Sequence, residues 1–292
     1  MNNTAEIANS IENLKNENES LEKWQKEASK LVQMLSDKVS DNAGKIAEIK
    51  ERTFINRIRV ESLPYELRDT QHESLVFVPD IMPNEETLKA IKAGKSFGAF
   101  TEAEFRVMES LDGPDLSECE RALGEKLLKA LKESTPDLIS GLDKNLYGNL
   151  EDIDPNDADR IREYMRPDTR KFHAGILDKE RYYGNAGISN ISDKDSLAAL
   201  KALWDQKNCL LVAEENSKVA GDNALFDNCS SFSRILCTSQ EAVESYDEVL
   251  SAVLSEPKDT LVVITLSPAA AALSYDLCCN GYHVIGIGNI LI

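Results

Sequence analysis

The chain has 292 residues, with 33 Lys and Arg against 51 Asp and Glu, a formal charge of −18. That length suffices for one large domain, or for a domain with an appendage. That charge argues against nucleic-acid or anionic-membrane binding, both of which need a basic face.

Residues 1–60 hold ten basic and ten acidic side chains, so the excess acidity belongs to the remainder. No apolar run approaches the roughly 20 residues that span a bilayer. The opening "MNNTAEIANS" lacks the basic-then-apolar order of a secretion signal. The six cysteines form no C-x-x-C pair, and Cys209, Cys237 and Cys278 lie in or beside apolar runs, where a thiol acts as a small hydrophobe. A reduced, cytoplasmic protein is expected.

In chain order, residues 5 to about 52 read as one long helix. A 4,3 spacing picks out Ile7, Ile11, Leu14, Asn18, Leu21, Gln25, Ala28, Val32, Leu35, Val39, Asn42, Ile46 and Ile49. Ten of the thirteen are apolar over about six heptads, the period of a coiled coil. Residues 1–55 are therefore assigned to a self-associating coil, the alternative being docking onto the chain's own domain. The polar Asn18, Gln25 and Asn42 would fix register at a cost in stability, and Gly44 weakens the last turns.

Pro64 and the polar run 68–74 predict a linker, and with the entry piece "SLVFVPDIMP" it occupies residues 56–84. A capped helix, "PNEETLKAIKAG", follows and ends at Gly94. The apolar Phe97-Gly98-Ala99-Phe100 then reads as a short buried strand that runs directly into Thr101, Glu102 and Glu104. Carboxylates one residue apart at a strand-to-helix junction can hold a hard divalent cation or set a base beside a hydroxyl. They can equally be first-turn acids that complement a helix dipole.

"PDLSECERALGEKLLKALKES" predicts another amphipathic helix and "DLISGL" a buried strand. Residues 143–195 suggest helix and functional loop, with Tyr182-Tyr183-Gly184-Asn185 and Ser189 as an aromatic and polar loop suited to a base or sugar ring. The last ninety residues alternate strand and helix: "CLLVAEE", the loop "NSKVAGDNALF", "SRILCT", a helix over 238–254, "TLVVITL", a helix opened by Ser267 as cap and Pro268 at its first position, and "YHVIGIG". Continuously apolar strands alternating with helices imply a mostly parallel α/β sheet covered on both faces. Its ligands bind beyond the carboxyl ends of the strands. Ser217, Lys218 and Asn223 sit in a loop that can cradle phosphate or be an ordinary βα connection. His72, His173 and His283 have no neighbours at metal-ligand spacing.

Over residues 85–292 these pieces together resemble the bacterial glycosyltransferases of the GT-D fold, formerly a domain of unknown function. The family's R-F-G-D-G-E segment corresponds to Ala99-Phe100-Thr101-Glu102-Ala103-Glu104, and its Y-G-N loop to Tyr183-Gly184-Asn185. Its S-R-x-G-x-G-N-D-L-F segment is matched by Ser217-Lys218 and by Asn223-Ala224-Leu225-Phe226, and its last strands by "LVVITLSPAAAALSYDLCCNGYHVIGIGN".

The resemblance implies a Rossmann-like domain that moves a hexose from a nucleotide-diphosphate sugar, UDP-linked by preference, to a hydroxyl of a glycan or glycoprotein. It implies a divalent metal, Mn or Mg, at Glu102 and Glu104, with Glu104 also catalytic. Phe100, Thr101, Asn185, Ser189, Ser217, Lys218, Asn223 and Asn289 would then contact the donor. The chain departs from the pattern at Ala99 for an arginine, Asn190 for a loop arginine, Lys218 for an arginine, Ala224 for an aspartate, and Gly286-x-Gly288-Asn289 for D-x-G-H. Those departures keep a second reading open, a non-catalytic glycosyltransferase-like scaffold with a degenerate donor site.

Overall fold

The structure, a computed structural model, describes residues 2–66, 77–114, 116–133, 135–148, 150–151, 153–190, 193–221 and 224–288, with the backbone alone at 2–6, 8, 239 and 241. Asn223, Asn289, His72 and the polar run 68–74 lie outside the described residues. The chain divides into two units, Met1–Val60 and Glu61–Ile292. No described helix is long and apolar enough to cross a membrane.

The helix α1 runs over Asn2–Glu66, past the expected end near residue 52 and past the boundary expected at 55. Neither Gly44 nor Pro64 ends it. Gly44 costs about 1 kcal/mol against Ala, too little to stop a helix of 65 residues. Pro64 falls in the last turn, which is tied down from outside the helix. Arg162 donates to both carboxylate oxygens of Glu66 at 2.7 and 2.8 Å. Arg166 pairs with Glu61, and the Arg170 guanidinium lies 4.5 Å from the centre of the Tyr65 ring. Along the first unit, Ile7, Ile11, Leu14, Leu21, Val32, Leu35, Val39, Ile46 and Ile49 are all exposed.

The second unit continues through β1 (Asp80–Ile81), α2 (Asn84–Lys92), β2 (Ser96–Phe100), α3 (Glu102–Glu109), α4 (Glu118–Lys132), β3 (Leu138–Leu142), α5 (Pro155–Tyr164), α6 (Pro167–Ile176) and β4 (Tyr182–Asn185). Next come α7 (Lys194–Lys201), β5 (Asn208–Glu214), α8 (Lys218–Gly221), β6 (Ser231–Cys237), α9 (Ser239–Glu244), α10 (Tyr246–Leu254), β7 (Leu261–Thr265), α11 (Ala270–Cys279) and β8 (His283–Gly286). The strands form one eight-stranded sheet in the order β1-β4-β3-β2-β8-β7-β5-β6. Every recorded pairing is parallel. This is the expected α/β architecture.

Alternation along the strands divides the core between the two faces. Leu210, Val212, Val262 and Ile264 join one apolar cluster with α3, α4, α10 and α11. Cys209, Leu211, Ala213, Leu261 and Val263 join the other, with Phe97, Trp204 and Ile91. Both faces of β2, β5 and β7 are buried along nearly their whole length, so these strands are largely apolar and not alternating.

Three local expectations are corrected. Tyr182–Asn185 is a strand, not a loop; Gly184 pairs with Gly141, and a Cβ on Gly184 would fall 2.8 Å from the Ile139 side chain. The helix predicted over 238–254 breaks at Ser245 into α9 and α10. Finally, α11 begins at Ala270, so Ser267 does not cap it.

The α11 helix packs tightly because its inner face is small. Ala271 and Ser274 approach Gly98, and a Cβ at Gly286 would lie 2.9 Å from the Ala270 carbonyl oxygen. On the other side of α3, His173 is buried between two phenols. Tyr147 Oη lies 2.7 Å from its Nδ1 and Tyr164 Oη 3.1 Å from its Nε2, while Phe105 stacks on the ring at 4.0 Å. Burial lowers the His173 pKa, with Glu109 opposing the shift and Arg170 adding to it.

Two outcomes are expected. Gly286→Val should lower unfolding free energy by about 1–3 kcal/mol, because the backbone it strikes cannot yield; an unchanged urea midpoint would show that α11 can move away. For His173 the folded pKa lies below the unfolded value, so the unfolded chain takes the proton first and stability falls as pH drops below about 6.5. His283 shifts in the same direction, so the share due to His173 is the part of this slope that His173→Gln removes in urea titrations.

Candidate functional site

The strand order reverses between β2 and β8: β3, β4 and β1 lie on one side, β7, β5 and β6 on the other. Such a switch point opens a crevice at the carboxyl ends of the strands. A cavity of about 520 Å³ lies there, within the usual range for small-molecule sites. Five strand ends contribute to it: Thr101 and Glu102 after β2, Asp143 and Asn145 after β3, Ala186, Gly187 and Ser189 after β4, Ser267 after β7, and Ile287 after β8. Arg106 from α3, with Asp157 and Arg160 from α5, completes the wall.

Glu102 and Glu104 part company in the first turn of α3. Glu104 has no exposed surface. One of its oxygens accepts from Thr101 N–H at 2.7 Å and from Thr101 Oγ1 at 2.6 Å. The other accepts from Ser267 Oγ at 2.7 Å. Burial raises its pKa, and these hydrogen bonds pull it back. Glu104 thus lies behind the cavity wall and joins two of its lining residues, Thr101 and Ser267, which arrive from different strands.

Glu102 faces the cavity. Its Oε1 accepts from Arg106 Nε at 2.8 Å and lies 2.7 Å from Arg106 Nη2, while its Oε2 accepts from Arg160 Nη1 at 3.2 Å. Both arginine side chains remain more than half exposed. The two carboxylates point in opposite directions and do not form the chelate that the spacing suggested. Among the described residues, no three His, Cys, Asp or Glu side chains gather as metal ligands.

Asp143 was not singled out by the sequence. Its carboxylate accepts from Asn145 N–H at 2.9 Å. Its pKa is raised mainly by burial, and by Glu102, against lowering by the Asn145 hydrogen bond and by Arg160. The signal was available, since Asp143 ends "DLISGL" as Glu102 ends the preceding strand. Arg106 stands one helical turn beyond Glu102. Arg160 lies in a helix with no strand before it and carries no local signal.

The remaining expected residues divide. Thr101 and Ser189 line the cavity, with Ser189 Oγ donating to Ala186 C=O at 3.1 Å. Phe100 is a core residue beneath it, 6.3 Å from Phe105 between ring centres. Asn185 is buried, and its Oδ1 accepts from Gly187 N–H at 2.8 Å, shaping the turn that carries Ser189. Ser217 caps the short α8, accepting from Ala220 N–H at 3.2 Å. Neither Ser217 nor Lys218 is among the residues that line this cavity.

Comparison with known proteins agrees with this geometry. The family described as Glycosyltransferase GT-D fold matches residues 97–292. Glycosyltransferase GlyD of Streptococcus pneumoniae is 31% identical over 122 residues, which are 39% of this chain and 15% of that protein. The probable glycosyl transferase Gly of Streptococcus gordonii is 34% identical over 117 residues, 37% of this chain and 17% of that protein. The chain therefore spans only a small part of these curated relatives. Among solved structures, a DUF1792 domain described as having a distinct glycosyltransferase fold superposes with a TM-score of 0.63 at 28% identity, over 73% of this chain and 79% of that one. A DUF1792 glycosyltransferase from Streptococcus sanguinis gives 0.64 at 25% identity, over 73% and 82%. With a crevice at the switch point and a family match over most of its length, the chain belongs to the glycosyltransferases of the GT-D fold.

Proposed function

We propose that the second unit transfers a hexose from a nucleotide-diphosphate sugar, a UDP-sugar first among them, to a hydroxyl of a glycan or glycoprotein. The observation that carries this reading is the cavity at five strand ends with two half-exposed arginines on its wall. Transfer leaves negative charge on the departing diphosphate, and cations fixed beside it lower the barrier. Arg106 and Arg160 supply two. Glu102 holds both guanidiniums in place, and each has five N–H donors, so binding Glu102 leaves others to face the diphosphate.

Asp143 is the base in this scheme. It takes the proton of the acceptor hydroxyl as the new glycosidic bond forms, and burial raises its proton affinity towards that task. Thr101, Asn145, Ser189 and Ser267 offer polar groups to the sugar. Glu104 is a positioning residue that fixes Thr101 and Ser267. No cluster of three metal-ligating side chains gathers among the described residues, and no step of this scheme is routed through the divalent metal that the family resemblance implies. Lys218, at the start of α8, and Asn223 are left to the outer part of a nucleotide. A cytoplasmic setting fits cysteines that are present as thiols, and α1 would join copies through its exposed stripe.

Three measurements test the scheme. In a thermal-shift panel of UDP-, GDP-, TDP- and CMP-sugars, one nucleotide class should raise the melting temperature equally with manganese and with EDTA; a shift that needs manganese would overturn the arginine assignment. Silence with every donor would favour the scaffold reading. Arg160→Ala should weaken donor binding about tenfold by calorimetry, the worth of one charge-assisted contact. Asp143→Asn should leave donor affinity intact and reduce kcat by about 10²-fold or more; full activity in that variant would remove it from the base role.

A further inference from the structure

We propose that two copies of this chain pair through α1 in antiparallel orientation, as a closed dimer centred near Lys30. This rests on the self-association reading above and adds an orientation, a register and an oligomer number to it. The apolar stripe is exposed from Ile7 to Ile49 except at the half-buried Ala28, and what distinguishes the possible partners is the charge beside it.

In the 4,3 frame, the flanking positions that set orientation are Glu17, Trp24, Leu31, Lys38, Lys45 and Arg52 on one side of the stripe, and Lys15, Glu22, Ser29, Ser36, Lys50 and Arg57 on the other. A parallel pair brings each residue of the first set beside the residue five further along in the second copy. That places Glu17 against Glu22, Lys45 against Lys50 and Arg52 against Arg57, each twice by symmetry, with no opposite-charge pair in the set. Like charges so placed destabilise.

Reversing one copy changes the partners. Each flank then meets its own counterpart, and the acidic Glu17 of one copy reaches Lys38 and Lys45 of the second. The only like-charge neighbours brought together are Lys15 and Lys50. Lys45 and Arg52 already pair within the helix, with Asp41 and Glu48 at 2.7 Å each. These pairs are exposed, and such contacts are weak enough to share a cation with a second acid.

Asn18 and Asn42 fix the register. With Asn18 beside Asn42 of the second copy, every layer between residues 11 and 49 matches one core position with the other kind. Leu21 meets Val39, Leu14 meets Ile46 and each Asn18 amide meets an Asn42 amide, at the cost of setting Gln25 opposite Leu35. Two such polar layers arise by symmetry, and a buried amide is satisfied only by another polar group. An antiparallel pair closes on a two-fold axis, which gives a dimer and excludes a symmetric trimer.

Sedimentation equilibrium of the full chain tests this, because the two orientations predict opposite signs. Lys45→Glu and Glu17→Lys should each weaken the dimer about tenfold, and the double variant should recover most of the loss. Circular dichroism should report unchanged helix, since both side chains are exposed. Tighter association in either single variant would mean that a parallel repulsion had been relieved, overturning the orientation while leaving self-association intact. Unchanged dissociation in both would overturn the pairing, and a trimer would overturn the closure. A monomeric wild-type chain at all concentrations would overturn self-association itself.

Discussion

A carboxylate without water must have its oxygens satisfied by the protein, and the cavity depends on how that is done for Glu104. Leaving an ionised group unpaired in the interior costs several kcal/mol. Glu104 avoids the cost by accepting from Thr101 twice and from Ser267 once. Those partners follow β2 and β7, strands separated by β8 in the sheet. The requirement for hydrogen bonds at one atom group therefore sets the distance between two loops that both line the crevice. A small inner face on α11 brings the β7 side close enough for the contact.

Around this fixed point the electrostatics are layered. The innermost carboxylate is hydrogen-bonded by hydroxyls and a backbone N–H, and the next, Glu102, is paired with two arginines at the cavity surface. Asp143, on the same cavity wall as Glu102, has a raised pKa and accepts from the Asn145 backbone N–H. The gradient runs from a group that cannot exchange partners to groups that can, which is the order an active site needs if substrate is to displace some contacts while the frame holds.

Much of this fold is legible in the sequence, for a physical reason. Strands buried on both faces are apolar at every position, so "CLLVAEE" and "TLVVITL" announce themselves, and so does the strand-to-helix turn at Glu102. The 4,3 spacing likewise announces α1. What escapes are features decided by tertiary partners. Pro64 stays helical because Arg162, Arg166 and Arg170 hold the last turn from elsewhere in the chain. Tyr182–Asn185 is a strand because Gly184 fits against Ile139 and Gly141, which no local propensity encodes. Ser267 carries the pattern of a helix cap, yet Glu104, 163 residues earlier, claims its hydroxyl. Of the residues expected from sequence, Thr101, Glu102 and Ser189 after β2 and β4 line the cavity, whereas Ser217 and Lys218 after β5 do not and Asp143 after β3 was not singled out. The sequence could not tell that Glu104 turns inward, since facing is set by the packing of α3, nor that Arg160 reaches the same cavity from α5.

The order of strands has a consequence at the sheet's margins. At one end of the sheet β1 is two residues long, too short to template another chain. At the other, β6 offers seven residues with no neighbour beyond them among the described strands, a row of backbone donors and acceptors open to the side. Ser231, Ser233 and Arg234 are exposed there, and the Arg234 guanidinium lies 4.7 Å from the centre of the Phe232 ring, covering the aromatic face. A charge laid along the rim in this way discourages strand addition, so that an assembly of this protein can be chosen by its helix and not by the open edge of its sheet.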